Sequence, residues 1–305
     1  MEHKQVMFVG LGRMGRNMAA RLVEQGFAVA GYDVSPEARE AAQRLGAQTR
    51  DTLEDAIALF QPPRVVWIMV QRDRVEEVFT KLVGILASGE IIIDGGNTFY
   101  QETLARLPRA HERGIHFVDV GVSGGTERAR TGATLMVGGE EAVVSRLAPL
   151  LDALAQPGGW ARVGANGAGH YVKMVHNGIE YGMMQALAEG VAALKEADKS
   201  LRVDVEAALR TYAHGSIIEG SLVRWALAAW EEDPGLARIE GVVPPGDTEN
   251  EMRELARFAR MPALQTALAE RERSRAHPSF AMKVVAALRK QFGSHPVVRK
   301  KEDAP

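Results

Sequence analysis

Residues 6–15 have the sequence VMFVGLGRMG, in which four apolar residues lead directly into a G-x-G-x-x-G pattern. The apolar run has the length of a buried strand, and helix-forming residues follow the last glycine. In such a strand–turn–helix unit, Gly10 permits the tight turn, Gly12 lets the main chain approach a ligand, and Gly15 allows close packing of the helix on the strand. The stretch therefore predicts a parallel α/β domain whose first turn binds the phosphates of a dinucleotide.

A carboxylate follows the second apolar run of the chain. Residues 28–32 form that run, and Asp33 comes directly after it, 23 positions beyond Gly10. A carboxylate at this place can accept hydrogen bonds from both ribose hydroxyls of NAD, and it would repel the 2′-phosphate of NADP. The first arginine that follows is Arg39. A glycine-rich turn alone is common in loops without a ligand, but the turn and the carboxylate together predict NAD as the preferred cofactor.

The two halves of the chain differ in pattern. Over the first half, short apolar runs alternate with helix-forming segments, which predicts a Rossmann-type, doubly wound parallel sheet with helices on both faces. The expected strands are 6–9, 28–32, 65–70, 91–93 and 117–120. Beyond about residue 165, Ala/Leu/Glu-rich segments with helical periodicity take over. We therefore expect an NAD-binding Rossmann-like domain over residues 1–166 and an all-helical domain with a C-terminal tail over residues 167–305.

Composition excludes several classes of protein. The 305 residues carry a formal net charge of −2, and the basic residues are spread along the chain, which argues against nucleic-acid binding. The chain has no cysteine, which rules out disulfides, thiolate zinc sites and cysteine nucleophiles. No stretch approaches the roughly 20 apolar residues that a membrane span needs, and no signal-peptide pattern is evident. We expect a cytoplasmic enzyme without nucleic-acid or membrane partners.

Five polar residues share one face of a predicted helix over residues 169–189. They lie at positions i, i+3, i+4, i+7 and i+8, and they are Lys173, His176, Asn177, Glu180 and Tyr181. Apolar neighbours such as Ile179 and Met183 predict burial of the adjoining faces, and Gly178 and Gly182 permit close approach of another segment. This mixture of amine, imidazole, amide, carboxylate and phenol favours an acid–base site. A solvated face, or a set of polar groups satisfied by neighbouring helices, is the alternative.

Two members of this face are suited to proton transfer. Lys173 and Glu180 are separated by roughly 10 Å along a helix axis, so they could serve two steps on neighbouring carbons of one ligand. Lysine is a useful base only when its pKa falls towards neutrality. Desolvation by the apolar flanks is expected to lower the pKa of Lys173.

Four segments of the chain together resemble one known family. Residues 167–182, 94–97, 122–125 and 289–295 are similar to the catalytic helix, two active-site loops and C-terminal tail of that family. The family is the decarboxylating 6-phosphogluconate dehydrogenases, in their short NAD-preferring form, within the β-hydroxyacid dehydrogenase superfamily. The combination of His176, Glu180 and Tyr181 separates this family from the superfamily at large. The resemblance spans nearly the whole chain.

The resemblance implies a reaction and a set of site residues. The reaction is oxidative decarboxylation of 6-phosphogluconate to ribulose 5-phosphate and carbon dioxide with reduction of NAD, as in pentose phosphate metabolism and gluconate utilisation. Lys173 and Glu180 would be catalytic, without a metal. The substrate-binding residues would be Asn97, Ser123, Gly124, Gly125, His176, Asn177, Tyr181, Arg289 and His295. The cofactor-binding residues would be Gly10, Leu11, Gly12, Arg13, Met14, Gly15, Asp33, Val70 and Asn97.

The family resemblance also implies an oligomer. Its C-terminal tail, represented here by residues 289–295, reaches into the site of a neighbouring subunit. We therefore expect a homodimer or homotetramer in which Arg289 and His295 complete the neighbour's site. A tail packed on its own subunit is the alternative.

The phosphate end of the site departs from the family pattern. Glu219 stands where long family members carry an arginine after a Gly-x-Ile-Ile pattern, and a carboxylate cannot bind a phosphate. Their loop with a lysine and the sequence Gly-x-Trp-Thr is replaced by residues 245–248. The side chains that remain for a phosphate are Tyr181, Arg289, Thr248 and Lys290. Two alternatives stay open: a related dehydrogenase of an unphosphorylated aldonate, and a non-catalytic NAD-binding sensor.

Overall fold

The computed structural model of the chain describes residues 4–293 and 295–300. Within them the strands are β1 (Gln5–Val9), β2 (Ala28–Tyr32), β3 (Gln48–Thr49), β4 (Val65–Ile68), β5 (Ile91–Asp94), β6 (His116–Ser123), β7 (Ala133–Gly138) and β8 (Ala155–Gly164). The helices are α1 (Arg13–Glu24), α2 (Pro36–Gln43), α3 (Leu53–Ile57), α4 (Arg72–Ile85), α5 (Tyr100–His111), α6 (Gly125–Thr131), α7 (Glu141–Leu154), α8 (Ala168–Leu201), α9 (Val205–Tyr212), α10 (Ser221–Glu232), α11 (Asp247–Phe258), α12 (Pro262–Arg273) and α13 (Phe280–Gly293). The chain divides into two units, one running to Lys173 and one starting at Met174.

The first unit is built on one sheet with the strand order β3-β2-β1-β4-β5-β6-β7-β8. Neighbouring strands are parallel except β6 and β7, which pair antiparallel. The order β3-β2-β1-β4-β5-β6 is that of dinucleotide-binding domains, which confirms the predicted Rossmann-type fold. The order reverses between β1 and β4, and such domains bind their ligands there, beyond the carboxyl ends of the strands.

Apolar layers on both faces of the sheet explain the continuous hydrophobic runs in its strands. Val6 and Phe8 of β1 are buried in one layer, and Met7 and Val9 are buried in the other. Trp67 of β4 stacks on Phe8 with the ring centroids 5.9 Å apart. Because alternate residues of a strand point to opposite faces, a strand that is covered on both sides is apolar throughout. This burial fixes the strands whose carboxyl ends carry the candidate site.

Local signals set the boundaries of the first two helices. Gly26 follows α1 with a φ of +79°, a conformation that glycine adopts without strain at the end of a helix. The hydroxyl of Ser35 accepts a hydrogen bond from the amide of Ala38 at 3.1 Å, and Pro36 is the first residue of α2. These signals fix where the loops on either side of β2 begin and end.

Three strands, β3, β7 and β8, lie outside the set expected from the sequence. Strand β8 contains Pro157, Gly158 and Gly159, and most of its side chains are exposed or half-buried. An edge strand tolerates proline and glycine because one side of it makes no ladder. Its sequence therefore looks like that of a loop, although it pairs with β7 along the whole length of that strand.

The second unit is helical. It contains the rest of α8 and helices α9 to α13, and the only β-type pairing among its described residues is an isolated bridge between Ile239 and Arg299. The prediction of helices beyond about residue 165 is thus confirmed. Trp225 of α10 packs on Phe292 of α13 with the ring centroids 5.4 Å apart. No helix in the described part of the chain is both long enough and apolar enough to cross a membrane.

Candidate active site

The turn after β1 has the geometry that a G-x-G-x-x-G motif requires. Gly10 has a φ of +100°, and its amide donates a hydrogen bond to the carbonyl of Tyr32 at 2.8 Å. A Cβ atom on Gly15 would overlap the carbonyl oxygen of Gly10, so α1 lies in direct contact with the turn. A Cβ atom on Gly12 would meet nothing within 4 Å. The turn therefore leaves space beside the main chain at the N-terminus of α1, where a pyrophosphate can bind.

Asp33 lies beside this turn. Its Oδ2 accepts a hydrogen bond from the amide of Leu11 at 2.7 Å, and its Oδ1 accepts one from the amide of Ser35 at 2.9 Å. Each carboxylate oxygen has a second lone pair, so Asp33 can still accept two ribose hydroxyls. Arg39 donates to the carbonyl of Asp33 and to the carboxylate of Asp51, both at 2.8 Å. The nearby guanidinium that could bind a 2′-phosphate is therefore already engaged.

Val70 lies between the glycine turn and the loop that follows β5. A Cβ atom on Gly10 would come within 2.9 Å of Cγ1 of Val70, and one on Gly96 would come within 3.2 Å of its carbonyl oxygen. Arg13 is exposed and Met14 is half-buried in the first turn of α1. The residues expected to bind the cofactor around this turn thus lie together at the carboxyl ends of neighbouring strands.

The loop after β5 rests on a buried carboxylate. Asp94 accepts hydrogen bonds from the amide of Gly96 at 3.2 Å and from the hydroxyl of Thr98 at 3.4 Å. The other oxygen of Asp94 lies 3.4 Å from Nη1 of Arg106 in α5. Asn97 has an exposed side chain at the top of this loop. The base of the loop is therefore fixed while Asn97 faces outward.

The end of β6 forms a second candidate loop. Gly124 has a φ of +114° and Gly125 a φ of +67°, which are values that glycine adopts far more readily than other residues. Ser123 is half-buried and lies opposite Thr134 of β7. Two successive left-handed residues turn the chain sharply into α6, which leaves Ser123 at the rim of the sheet.

The N-terminus of α8 is anchored on β6 by a second buried carboxylate. Asp119 accepts hydrogen bonds from the amide of Gly167 at 2.6 Å and from the amide of His170 at 2.9 Å. The unpaired amides and the dipole of a helix N-terminus both favour an anion there. The sequence pattern does not single out Asp119, because this residue lies inside an otherwise apolar strand.

Three glycines let α8 touch the sheet directly. A Cβ atom on Gly121 of β6 would overlap the Cβ of Lys173, and one on Gly169 of α8 would overlap the carbonyl of Asp119. A Cβ atom on Gly138 of β7 would lie 2.7 Å from the amide nitrogen of Gly169. We call this arrangement the glycine crossing. It places Lys173 beside β6, two residues before the strand ends.

The other members of the polar face follow Lys173 along α8. Asn177 and Tyr181 are buried, whereas Lys173, His176 and Glu180 are half-buried. Nδ1 of His176 lies 3.2 Å from Oδ1 of Asn177 and 3.9 Å from Oε2 of Glu180. The face is therefore partly enclosed rather than fully solvated.

The apolar flanks of this face differ from the expectation. Ile179 and Met183 are 52% and 56% exposed, so the prediction that they are buried is wrong. Gly178 and Gly182 do permit close approach, because Cβ atoms there would lie 2.9 Å from a leucine of α11 and 3.1 Å from an alanine of α12. Helices α11 and α12 pack on the glycine side of α8, and the side with Ile179 and Met183 stays open.

A buried arginine lies next to Tyr181. Arg271 of α12 is 2% exposed, and its guanidinium carbon lies 3.4 Å from the centroid of the Tyr181 ring. Nη2 of Arg271 lies 3.9 Å from the sulfur of Met184, and its Nε has no hydrogen-bond partner. No carboxylate of the described residues lies within ion-pair distance of it. Burial lowers the pKa of Arg271 to about 10. Glu180 and Glu249 act on this charge only through space, and because a buried cation without an ion-pair partner is costly, we interpret Arg271 as part of an anion site.

Arg289 of α13 lies near the same ring. Its Nη1 donates a hydrogen bond to the carbonyl of Pro244 at 3.1 Å, and burial lowers its pKa. Burial raises the pKa of Tyr181, while the charges of Arg271 and Arg289 act in the opposite direction. The sequence pattern indicates Tyr181 and Arg289 but misses Arg271, since the run ERERSR over residues 270–275 is typical of a solvated helix face.

Three further residues singled out from the sequence lie at or near the surface. Glu219 is exposed and accepts a main-chain hydrogen bond at 2.8 Å. Lys290 forms an ion pair with Glu232, so its amine is engaged. His295 is exposed, and its ring centroid lies 6.0 Å from that of Phe292. Tyr181 and Arg289, which are candidates for a phosphate contact, thus both lie near the buried arginine.

Family models and relatives match most of the chain. The model for the NAD binding domain of 6-phosphogluconate dehydrogenase matches residues 5–178, and the model for the C-terminal domain of 6-phosphogluconate dehydrogenase matches residues 169–233. The NAD(+)-dependent, decarboxylating 6-phosphogluconate dehydrogenase of Haloferax volcanii is 36% identical over 97% of this chain and 99% of that protein. The protein YqeC of Bacillus subtilis is 36% identical over 97% of this chain and 100% of its own length.

Solved structures share the fold. A 6-phosphogluconate dehydrogenase of Plasmodium falciparum has a TM-score of 0.77 at 26% identity, over 89% of this chain and 62% of that longer chain. A 3-hydroxyisobutyrate dehydrogenase of Mycobacterium tuberculosis has a TM-score of 0.69 at 23% identity, over 93% of this chain and 98% of that one. The second likeness shows the fold alone. The family models and the relatives of nearly equal length show that the chain belongs to the 6-phosphogluconate dehydrogenase family.

Proposed function

We propose that this chain is an NAD-dependent, decarboxylating 6-phosphogluconate dehydrogenase that supplies ribulose 5-phosphate to pentose phosphate metabolism. The relative from Haloferax volcanii has this activity in its name. The observation that favours a phosphorylated substrate is the buried guanidinium of Arg271 beside Tyr181. A phosphate dianion would neutralise this charge and accept charge-assisted hydrogen bonds from it.

In the oxidation step Lys173 acts as the base. Its neutral amine removes the proton of the C3 hydroxyl as the C3–H bond breaks, which leaves a ketone at C3 and an ammonium group on Lys173. Bound NAD supplies the acceptor for the hydride. The hydrogen bonds of Asp119 to the start of α8 and the glycine crossing hold the main chain of Lys173 in place, as a positioned base requires.

In the decarboxylation step the same ammonium group acts as an acid. It donates its proton to the C3 ketone oxygen while the C1–C2 bond breaks, so that carbon dioxide leaves and an enediol remains. Glu180, seven positions further along α8, donates a proton to the carbon that becomes C1 of ribulose 5-phosphate. Lys173, neutral again, takes back the proton of the C3 enediol hydroxyl, so that the ketone of the product forms. The carboxylate and hydroxyls of the substrate are bound, in this proposal, by Asn97, Ser123, Gly124, Gly125, His176 and Asn177.

The surroundings of Asp33 favour NAD over NADP. A 2′-phosphate would meet the carboxylate of Asp33, and Arg39 is held by Asp51 and by the carbonyl of Asp33. The repulsion would therefore go uncompensated. We expect kcat/KM to be roughly tenfold or more higher with NAD than with NADP.

The proposed function is tested by wild-type rates on a panel of substrates with each nicotinamide cofactor. With 6-phosphogluconate and NAD, we expect reduced cofactor and carbon dioxide in equal amounts, and with gluconate we expect kcat/KM to be lower by roughly 10²-fold. Equal efficiency on gluconate would favour the unphosphorylated aldonate as the substrate. Tight NAD binding without turnover of any sugar acid would favour the NAD-binding sensor.

We also propose that the enzyme is a homodimer or homotetramer in which the tail beyond Arg289, including His295, completes the site of a neighbouring subunit, whereas Arg289 itself lies beside Tyr181 of its own chain. Ile179, Met183 and Ile217 are exposed apolar side chains of the second unit, and they offer surface for a subunit contact. The segment that follows this tail lies on its own chain, since the amide of Glu240 donates a hydrogen bond to the carbonyl of Val298 at 3.0 Å.

Subunit mixing tests whether the tail serves a neighbour. Lys173→Met subunits and subunits truncated from Gln291 onward are each expected to be inactive on their own. In a mixed dimer, the truncated subunit keeps Lys173 and receives an intact tail from its neighbour. Activity should then return to about a quarter of the wild-type value after random exchange. Mixed dimers that form, as seen by native mass spectrometry, but stay inactive would show that the tail serves its own chain.

A further inference from the structure

His170 occupies a buried position in α8 one turn before Lys173. It is 3% exposed, and its Nδ1 lies 2.7 Å from the hydroxyl of Thr103 in α5. Its Nε2 is buried without a hydrogen-bond partner. A buried imidazole with one unsatisfied nitrogen is costly, and an apolar side chain of the same size would avoid that cost. The hydrogen bond between Nδ1 and Thr103 is the contact that offsets part of this cost.

The contact of His170 with Thr103 joins the two segments that carry Asn97 and Lys173. Helix α5 begins only three residues after Asn97, and His170 precedes Lys173 by three. The rings of Tyr100 and Tyr171 pack edge to face at the same contact, with centroids 5.2 Å apart. The hydrogen bond adds a directional polar link between α5 and α8 to this aromatic contact.

A second polar link holds the other side of the same loop. Asp94, at its base, lies 3.4 Å from Nη1 of Arg106, which is one turn of α5 beyond Thr103. Burial raises the pKa of Asp94, and His170 is close enough to act against that rise. The loop of Asn97 is therefore tied at its base to α5, and α5 is tied to α8 through Thr103.

We propose that His170 is a positioning residue: through its hydrogen bond to Thr103 it fixes Lys173 relative to Asn97. This inference rests on the proposed function, in which both residues act on one substrate. A displacement of about 1 Å of a reacting group can lower a rate by roughly 10²-fold. Loss of the hydrogen bond therefore lowers kcat, whereas the affinities for substrate and cofactor stay nearly unchanged.

Two pairs of matched variants test the role. In the first pair, Thr103→Val removes the hydroxyl at nearly constant volume, and Thr103→Ser keeps it. In the second pair, His170→Asn keeps a hydrogen-bonding group where Nδ1 lies, and His170→Gln moves that group to the position of Nε2. We expect Thr103→Val and His170→Gln to lower kcat roughly tenfold or more. Thr103→Ser and His170→Asn should stay within about threefold of the wild type, with KM values and melting temperatures alike within each pair.

Equal rates for Asn and Gln at position 170, or a loss that falls on KM instead of kcat, would overturn the positioning role. A double variant, Thr103→Val with His170→Gln, should lose no more than either single variant, because both remove one interaction. Fully additive losses would count against the proposal. If Thr103→Val does not fold, the pair at position 170 decides the matter alone.

Failure of the proposed function can be told apart from failure of this inference. If the wild type does not turn over 6-phosphogluconate, the proposed function falls and kcat is no longer a readout. The position of Lys173 is then followed by the ¹³C-methyl NMR signal of its dimethylated amine, which is assigned by its absence in Lys173→Met. A shift of that signal in His170→Gln but not in His170→Asn supports the inference, and an unmoved signal in both overturns it.

Discussion

Replacing Lys173 by methionine is expected to lower kcat for 6-phosphogluconate by roughly 10⁴-fold, the upper end of the range for removal of a general acid–base group. The large effect follows from the proposed mechanism, in which one amine acts first as a base and then as an acid. Methionine fills similar volume beside Gly121 of β6, so the contact between α8 and the sheet is preserved. Steady-state rates measure the loss, and NADH fluorescence titration should show unchanged cofactor binding.

Two controls make the Lys173 result specific. Lys173→Arg keeps a positive charge but has no neutral amine at working pH, and we expect it to be nearly as inactive as the methionine variant. Lys195→Met removes an amine from the same helix that is paired with Asp198 at 3.0 Å, and it should retain wild-type rates. Turnover by Lys173→Met within tenfold of the wild type would exclude Lys173 as the base.

Arg271→Met should separate phosphorylated from unphosphorylated substrates. In this variant the phosphate of the bound substrate loses the guanidinium of Arg271. Loss of such a buried charge partner should raise KM for 6-phosphogluconate by roughly 10²-fold or more. The kcat/KM value for gluconate should change by less than about threefold, since that substrate has no phosphate to lose contact with. Arg273→Met is the matched control, because its side chain lies on the same helix and is 68% exposed. Equal losses on both substrates would show that Arg271 does not bind the phosphate.

The Arg271→Met variant should be about as stable as the wild type in the absence of ligand. Burial lowers the pKa of Arg271 to about 10, which corresponds to a cost of about 3 kcal/mol for its charge at neutral pH. A desolvated cation–π contact such as that with Tyr181 offsets this cost by about 2 kcal/mol. The two effects nearly cancel, so thermal unfolding without ligand should differ by only a few degrees. A large destabilisation would indicate that Arg271 serves the core of the helical unit instead.

The sequence predicts the first half of the sheet well because its information is local. The strand and glycines of residues 6–15 specify a tight turn. At Gly10 and Gly15 the neighbouring main chain leaves no room for a side chain. Strand β8 is not predictable in this way, since its Pro-Gly-Gly segment is compatible with a strand only at the edge where the fold places it. Long-range pairing, and not composition, makes it a strand.

The candidate site is predictable to the extent that it lies on one helix. Helical spacing alone brings together the polar face from Lys173 to Tyr181, and no knowledge of the tertiary fold is needed. Asp119 and Arg271 are not predicted, because the sequence pattern around each residue is typical of a different kind of site. Asp119 is one acid in an apolar strand, and Arg271 is one cation in a charged helix. Their roles depend on what packs against them, which a single sequence does not reveal.

The glycine crossing should make the position of Lys173 insensitive to substitutions in the surrounding core. Where helices meet a sheet through side chains, substitutions in the core shift the contact gradually, and the catalytic group moves with it. At Gly121, Gly138 and Gly169 no side chain stands between α8 and the strands, so there is nothing to repack. The glycine crossing therefore fixes how closely the main chain of Lys173 approaches β6. We therefore expect substitutions among the surrounding apolar residues to leave the distance between the main chain of Lys173 and β6 unchanged.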